Sequence, residues 1–239
     1  MKAPFALFLS FLASAYGGAA NAQVSDDAVR IGVLGDLSGI YADFGGPGNV
    51  VAARMAVEDF GGKVLGKPID VIAADHQSKA DIGAAIARQW FDADKVDMAI
   101  GFDNSSIALA VEQVAFQKNR IAIAGAVSTT AFTGKDCTPN EAAWLHDNYA
   151  LANTLVRSIV EKGGDTWFFI TADYTAGHSL EVEAKNAVLV SGGKVLGAVR
   201  HPLNNPDFSS YLLQAPGFRS EGYRIGQFWR RHDQCHQAG

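Results

Sequence analysis

Residues 29–62 read VRIGVLGDLSGIYADFGGPGNVVAARMAVEDFGG, and this stretch contains one complete strand–loop–helix unit. The apolar run 29–34 predicts a short buried strand. Apolar residues then recur at helical spacing and predict one face of a helix, which Gly61 and Gly62 end. The residues of that face are Val50, Ala53, Val57 and Phe60. A strand followed by a loop and a helix is the repeating unit of α/β proteins.

The same alternation continues along the chain. Further strands are predicted at 69–74, 97–100, 120–124, 166–171 and 194–200, with helical stretches between them. Strands that are apolar along their whole length are typical of a parallel sheet covered by helices on both faces. The pattern therefore predicts an α/β fold.

Two series of such units are predicted. An irregular stretch, 135–146, separates them, so we expect one unit at 23–146 and a second at 147–215. The second series has only two strands and the beginning of a helix near 207, so we expect that unit to be incomplete. From residue 216 onward the apolar periodicity stops, and the His and Cys residues of 216–239 are interpreted as an accidental grouping.

Residues 1–22 have the features of a secretory signal peptide. Lys2 precedes the apolar run 3–16, and Ala20-Asn21-Ala22 has the small residues of a cleavage site. The apolar run is too short to span a membrane as a helix. We expect export and cleavage after Ala22, which gives a mature chain that starts at Gln23.

Composition and motifs exclude several classes of function. The formal net charge of −5, from 20 basic and 25 acidic residues, argues against a partner that is a nucleic acid. The glycines form neither a dinucleotide-binding nor a phosphate-binding loop motif, and no G-x-S-x-G elbow is present. The His and Cys residues show no metal-binding spacing. We therefore predict no catalytic residues, no metal and no cofactor, and hence no enzyme.

Polar loops remain as candidates, because ligands of open α/β sheets bind at the carboxyl ends of the strands. Ser105 begins a predicted helix, where its hydroxyl could cap the helix or donate to an anion. Ser128 lies in a loop after a strand, which could bind a ligand or be an ordinary turn. Tyr41, Phe44 and Tyr174 could form the wall of a cleft or pack in a core.

Four stretches, taken together, resemble the leucine/isoleucine/valine-binding family of periplasmic solute-binding proteins. The opening stretch 31–62 matches the family's G-x-x-S-G and G-x-x-x-A-x-x-x-D-x-x-G elements, and IGFDNSS matches its G-x-x-x-S element. AGAVSTTAFTG matches its S-P-x-A-T-x-x-x-L-T loop, with Gly125 in place of Pro and Ser128 in place of Thr. ITADYTAGHSL matches D-Y-x-Y-G, with Ala176 in place of an aromatic residue.

The resemblance implies two Rossmann-like lobes with parallel sheets, the periplasmic binding protein type I fold, which close on a ligand. By motif, Ser105, Ala126 and Ser128 would bind the ligand carboxylate in lobe one. Phe44 would contact the ligand side chain, and Tyr174 would do so from lobe two.

The function implied is that of the substrate-binding component of an ABC importer. The ligand would be a branched-chain or related amino acid or another small carboxylate, and the partner an ABC permease in the inner membrane. Two alternatives stay open: a ligand-sensing relative that binds amides or aromatic acids, and a truncated product without transport activity.

The tail suggests how such a truncation could arise. Residues 216–239 can be back-translated so that the next reading frame spells QGSGAKVIGLANSGGDTINAIKQA, which contains a family-like strand and helix. We therefore expect a frameshift at about Ala215, which leaves the tail out of frame. A chain truncated there should bind ligand weakly or not at all.

Overall fold

The computed structural model describes residues 26–216. Eight strands are present in this range: β1 (Val29–Gly35), β2 (Lys63–Val64), β3 (Lys67–Asp75), β4 (Met98–Gly101), β5 (Ile121–Ala124), β6 (Glu141–Ala143), β7 (Thr166–Ala172) and β8 (Lys194–His201). Eight helices alternate with them: α1 (Ala42–Gly45), α2 (Pro47–Asp59), α3 (Ala80–Asp92), α4 (Ser105–Gln117), α5 (Thr130–Thr133), α6 (Asn148–Glu161), α7 (Thr175–Val190) and α8 (Ser209–Leu212). The predicted signal peptide and the tail from 217 lie outside the described residues.

The first sheet has the strand order β2-β3-β1-β4-β5-β6. All neighbouring strands are parallel except β2, which pairs with β3 in the antiparallel direction. Strand β3 lies on one side of β1 and β4 lies on the other, so the strand order reverses between β1 and β4. The loops that follow β1 and β4 therefore diverge at this point. In open α/β sheets, such a switch point is where ligands bind.

One face of this sheet forms the main core. Helices α3 and α4 pack on it through large apolar side chains, among them Trp90, Phe91 and Ile107. The facing strand residues are small, as at Ala99 and Ala122, because the helices approach the sheet closely.

The opposite face of the first sheet is only partly covered. Met98 and Ile100 on β4 and Ile123 on β5 are half-buried, and Ile121 is 50% exposed. The sequence predicts helices on both faces of the sheet. Helix α2 contacts β1 and β3 on this second face, whereas the part of the face formed by β4 and β5 stays half-exposed among the described residues.

The second sheet consists of β7 and β8, which are parallel. Helices α6 and α7 pack against each other and, with Trp167 and Phe169 of β7, form a small second core. Among the described strands β7 pairs only with β8, so its other edge is open. The boundary between the two predicted lobes stays a prediction, although β6 belongs to the first sheet and β7 to the second.

Three further differences from the sequence predictions concern short or exposed elements. The irregular stretch 135–146 contains β6, which is held by pairing with β5. The loop 125–138 contains the single-turn helix α5. Phe60, predicted on the inner face of a helix, follows the end of α2 and is 66% exposed.

No helix among residues 26–216 is long and apolar enough to cross a membrane.

Glu112 of α4 is a fully buried carboxyl group, and its environment predicts how stability depends on pH. Burial raises its pKa to about 9, and a hydrogen bond shared with the carboxyl group of Glu141 on β6 adds to this increase. The folded chain therefore holds a proton between pH 4.5 and about 9 that the unfolded chain releases. The free energy of unfolding consequently falls as the pH rises through this window.

Replacing this carboxyl group by an amide, Glu112→Gln, should remove that dependence. We expect the variant to gain about 2 kcal/mol at pH 8, or about 4–8 °C in Tm, because the amide has no charged form. Thermal unfolding at pH 5 and pH 8 measures the effect, with the exposed Glu58→Gln as the control. A Glu112→Gln variant with the wild-type pH slope would contradict this assignment.

Candidate functional site

A cavity of about 750 Å³ lies between the loops that follow the strands of the first sheet and the elements α6, β7 and α7. All five site residues predicted from sequence line it: Phe44, Ser105, Ala126, Ser128 and Tyr174. They come from four separate loops or helix starts, so the fold brings together residues that lie up to 130 positions apart. Whether they bind a ligand stays a prediction.

Ser105 is at the centre of the lobe-one wall. Its side chain is 2% exposed, and its Oγ accepts hydrogen bonds from the backbone N–H groups of Ser128 and Thr129, at 3.3 Å each. The Ser105 hydroxyl therefore fixes the 126–129 loop and keeps its own proton available for donation. Capping of α4 is performed by Asn104, whose Oδ1 accepts from the Ser106 N–H at 3.0 Å, so Ser105 is not the cap.

Two tyrosines face each other across the cavity. The Tyr41 hydroxyl donates a hydrogen bond to the Tyr174 hydroxyl. Burial raises the pKa of Tyr41 above its ordinary value, and the bond to Tyr174 and the charge of Asp36 raise it further. Tyr41 is thus a neutral phenol at physiological pH, and the hydroxyl groups of both tyrosines can donate or accept hydrogen bonds in the cavity.

The lobe-one wall is supported from behind by Asp103. Its Oδ2 accepts from the Asp36 N–H at 2.7 Å, which joins the loop after β1 to the loop after β4. Burial raises the pKa of Asp103, an effect that the Asp36 charge strengthens and the Asp36 N–H partly offsets. A side chain at Gly45 would collide with the Asp103 carboxylate, so only glycine fits there.

Direct polar contacts join the two walls of the cavity. Asn148, at the start of α6, donates from Nδ2 to the Ala176 carbonyl at 2.9 Å and from its N–H to the Ser128 carbonyl at 2.8 Å. Thr130 donates from its N–H to Ser179 Oγ at 3.3 Å and from Oγ1 to Glu183 Oε1 at 3.2 Å. These contacts place α7 directly against the loop that carries Ala126 and Ser128.

Several cavity residues were missed by the sequence analysis, namely Asp103, Leu145, His146 and Asn148. Asp103 lies two positions before Ser105, in a loop that the sequence had already singled out. Leu145 and His146 belong to the stretch 135–146, which was interpreted only as a domain boundary, and Asn148 begins α6 of the second predicted unit.

The cavity extends into an apolar groove between α6 and β7. Its lining there includes Leu155, Ile159, Trp167 and Phe169. Leu155 and Ile159 are 46% and 45% exposed, which is high for apolar residues that point toward a sheet. The groove adjoins the open edge of β7, so the same part of the second sheet lacks a neighbouring strand and a cover.

Solved structures that resemble this chain are periplasmic binding proteins. A periplasmic binding protein of Burkholderia mallei is 48% identical, with a TM-score of 0.78, over 80% of this chain and 51% of that one. A branched-chain amino acid ABC transporter periplasmic ligand-binding protein of Burkholderia xenovorans LB400 is 37% identical, with a TM-score of 0.68 and the same coverage. A solute-binding protein of an ABC transporter from Rhodopseudomonas palustris HaA2, solved with p-hydroxybenzoic acid, is 25% identical, with a TM-score of 0.71, over 78% of this chain and 50% of that one.

The chain spans about half the length of the curated relatives it matches. One of them, Leu/Ile/Val-binding protein homolog 6 of Brucella abortus (strain 2308), is 24% identical over 197 residues, which are 82% of this chain and 50% of the relative. The predicted α/β fold of the type I periplasmic binding proteins is confirmed, and the half coverage is consistent with an incomplete second lobe.

Residues 28–219 match the sequence profile of a family described as periplasmic binding protein, which is most of the chain. Proteins of this family bind solutes and catalyse no reaction, which confirms the prediction that the chain is not an enzyme. Profile, structural neighbours and motifs agree, and the chain therefore belongs to the periplasmic binding protein family.

Proposed function

We propose that the chain is the substrate-binding component of an ABC importer and binds a small carboxylate in the cavity described above. The observation that carries this proposal is the convergence of Phe44, Ser105, Ala126, Ser128 and Tyr174 on one cavity. Ser105 and Ser128 offer hydroxyl groups on one side, and Phe44 and Tyr174 offer aromatic surface. Small-molecule sites typically combine an apolar wall with a few polar groups of this kind.

Hydrogen bonds, rather than an ion pair, would hold the carboxylate. No Lys or Arg lines the cavity among residues 26–216, and the only side chain there that can become cationic is His146. Hydroxyl donors to a charged oxygen each contribute about 1.5–3 kcal/mol, so two or three together supply a large part of the about 8 kcal/mol that micromolar binding requires, and contacts with the aromatic surface would add to it.

Two ligand classes fit the wall. Branched-chain or related amino acids agree with the names of the Brucella and Burkholderia xenovorans relatives. Aromatic acids agree with the p-hydroxybenzoic acid in the Rhodopseudomonas palustris relative, and with the three aromatic side chains of Tyr41, Phe44 and Tyr174. The small Ala176 leaves additional room on the lobe-two side, which favours ligands with a flat or bulky side chain.

Export and a membrane partner belong to the same proposal. The sequence of residues 1–22 supports transport to the periplasm, where the loaded protein would dock on an ABC permease in the inner membrane. Mass spectrometry of exported material should find Gln23 as the first residue.

A titration tests the proposed ligand class. The purified chain is titrated by calorimetry with leucine, valine, benzoate and p-hydroxybenzoate, and with leucinamide and benzamide as counterparts that lack the carboxylate. We expect at least one carboxylate to bind at least about tenfold more tightly than its amide. Equal affinity for acid and amide would refute carboxylate recognition.

A second proposal rests on the next reading frame of residues 216–239, which can spell a family-like strand and helix: the chain is a frameshifted product that binds ligand weakly. The tail concerned lies outside the described residues. The nucleotide sequence of the gene tests the frameshift. If the frameshift is present, the +1 frame after codon 215 encodes a family-like strand and helix. An early stop codon in that frame would exclude the frameshift.

A further inference from the structure

A buried carboxyl group, that of Asp103, belongs to the wall that the proposed function assigns to a carboxylate ligand. Asp103 lines the cavity together with Ser105 and Ser128, and its side chain is 0% exposed. The charges of this group and of a bound carboxylate would have the same sign within one cavity. Two carboxyl groups that share a buried site are not both ionised at ordinary pH, so one of them is expected to hold a proton.

The two oxygen atoms of Asp103 have different surroundings. Oδ2 accepts a hydrogen bond from the Asp36 N–H at 2.7 Å, whereas Oδ1 is buried and has no hydrogen-bond partner. Oδ1 lies beside Gly45 of α1, where any side chain would collide with it. A buried ionised carboxylate is normally bonded at both oxygens, because each of them is a strong acceptor. The difference between the two oxygens therefore fits an acid that carries its proton on Oδ1.

No cation compensates the charge of Asp103 among residues 26–216, since no Lys or Arg there forms an ion pair with it. The titratable groups that face it are Asp36 from the loop after β1 and His76 from the end of β3. The Ser78 N–H donates to Nδ1 of His76 at 3.1 Å, so the neutral ring carries its proton on Nε2, which lies 3.8 Å from Asp103 Oδ2. Burial lowers the pKa of His76 and favours this neutral form.

The remaining titratable groups around Asp103 do not supply a fixed positive charge either. Helix α1, which carries Gly45, has one such residue, the exposed Asp43. Those of the cavity lining are Tyr41, His146, Tyr174 and Glu181. Glu181 is paired with Lys185 and Arg200, and only His146 can become cationic.

Asp36, in contrast, has the surroundings of an ionised carboxylate. It accepts hydrogen bonds from the N–H groups of Gly39 and Tyr41 and from Ser78 Oγ, at 2.9, 3.1 and 2.8 Å. Burial raises the pKa of Asp103, and the Asp36 charge adds to this increase, which the Asp36 N–H partly offsets. A second negative charge in the cavity would raise the pKa of Asp103 again.

We propose that Asp103 takes up one proton when the cavity binds a carboxylate, so that ligand binding is coupled to protonation of this residue. The coupling rests on the carboxylate recognition proposed above. The proton passes from solvent to Oδ1 of Asp103, and the negative charge of the ligand replaces that of Asp103, so the net charge of the cavity is unchanged. No direct contact between the two carboxyl groups is required, because the repulsion between their charges acts across the cavity.

Calorimetry of the 239-residue chain with benzoate, p-hydroxybenzoate and leucine measures the coupling. Affinity should be constant at low pH, where Asp103 holds its proton with and without ligand. It should then fall by up to about tenfold per pH unit over the range in which only the complex still holds that proton. Titrations at one pH in two buffers with different heats of ionisation give the number of protons taken up, which should approach one within this range.

Matched variants assign the proton to a residue. Asp103→Asn resembles the neutral acid, so it should bind the same carboxylate without proton uptake and without the fall in affinity at high pH. Asp92→Asn, which removes an exposed carboxylate paired with Lys118, should keep the wild-type pH dependence. Protonation of His146 would strengthen carboxylate binding in the same direction, so His146→Gln is the second control and should also keep the proton uptake.

Three results would overturn the coupling while they leave carboxylate recognition intact. The first is binding of a carboxylate by the wild-type chain without proton uptake, which decides alone should Asp103→Asn fail to fold. The second is proton uptake that persists in Asp103→Asn and disappears in His146→Gln. The third is a loss of leucine but not benzoate binding in Asp103→Asn, which would make Asp103 the acceptor for the ligand ammonium group. Failure of every carboxylate to bind would refute the proposed function, and the coupling with it.

Discussion

Joining residues 1–215 to the remaining half of the Burkholderia mallei relative is expected to raise Tm by at least about 10 °C. The reason lies in two apolar surfaces that the described residues leave uncovered. One is the groove at Leu155, Ile159 and Trp167 beside the open edge of β7, and the other is the face of the first sheet at Ile121. Covering each large apolar side chain adds about 1.5–3 kcal/mol to the free energy of unfolding. Each kcal/mol raises Tm by about 2–4 °C for a chain of this size.

The same fusion should bind a carboxylate ligand at least about 100-fold more tightly than the 239-residue chain. A cleft that closes between two lobes binds weakly when one lobe is incomplete, because only a small fraction of the molecules reach the closed form. Calorimetric titration and thermal unfolding measure both effects, with the relative's half alone as the control. Equal Tm and equal affinity for the fusion and the 239-residue chain would show that the described lobes need no further cover.

Removing the Ser105 hydroxyl should weaken ligand binding by about 10- to 100-fold, and more than removal of the Ser128 hydroxyl. Ser105→Ala loses a donor to the ligand and also the acceptor that fixes the N–H groups of Ser128 and Thr129. Ser128→Ala loses at most the donor. A hydroxyl hydrogen bond to a charged oxygen contributes about 1.5–3 kcal/mol, which gives this range.

The measurement is a calorimetric titration of the fusion protein and its two variants. Ser106→Ala is the matched control, because the neighbouring Ser106 hydroxyl bonds to Asn104 and does not line the cavity. An equal loss of affinity in Ser106→Ala and Ser105→Ala would indicate damage to α4 rather than loss of a ligand contact.

The strand 29–34 could be predicted because it is apolar along most of its length, and the structure has β1 there. The helix that Gly61 and Gly62 end could be predicted because Val50, Ala53 and Val57, its least exposed apolar residues, recur at helical spacing, and the structure has α2 there. β6 could not be predicted, because Glu141–Ala143 has no strand signal and is held only by pairing with β5. The exposure of Phe60 could not be predicted either, because it depends on how α2 packs on the sheet. The spacing of apolar residues along α2 does not determine that packing.

The residues of the candidate site likewise divide into those that the sequence predicts and those that it does not. Ser105, Ser128 and Tyr174 could be found because they follow predicted strands, where the carboxyl ends of a parallel sheet gather. Asn148 could not, since its role comes from contacts with Ser128 and Ala176 that join the two walls.

The central claim is that the wall around Ser105 and Ser128 holds the carboxylate of the ligand. The most direct test compares the best-binding carboxylate with its amide, in the fusion protein and in its Ser105→Ala/Ser128→Ala variant. We predict that the fusion protein prefers the acid by at least about tenfold and that the double variant loses this preference while it still binds the amide. An undiminished preference for the acid in the double variant would contradict the claim.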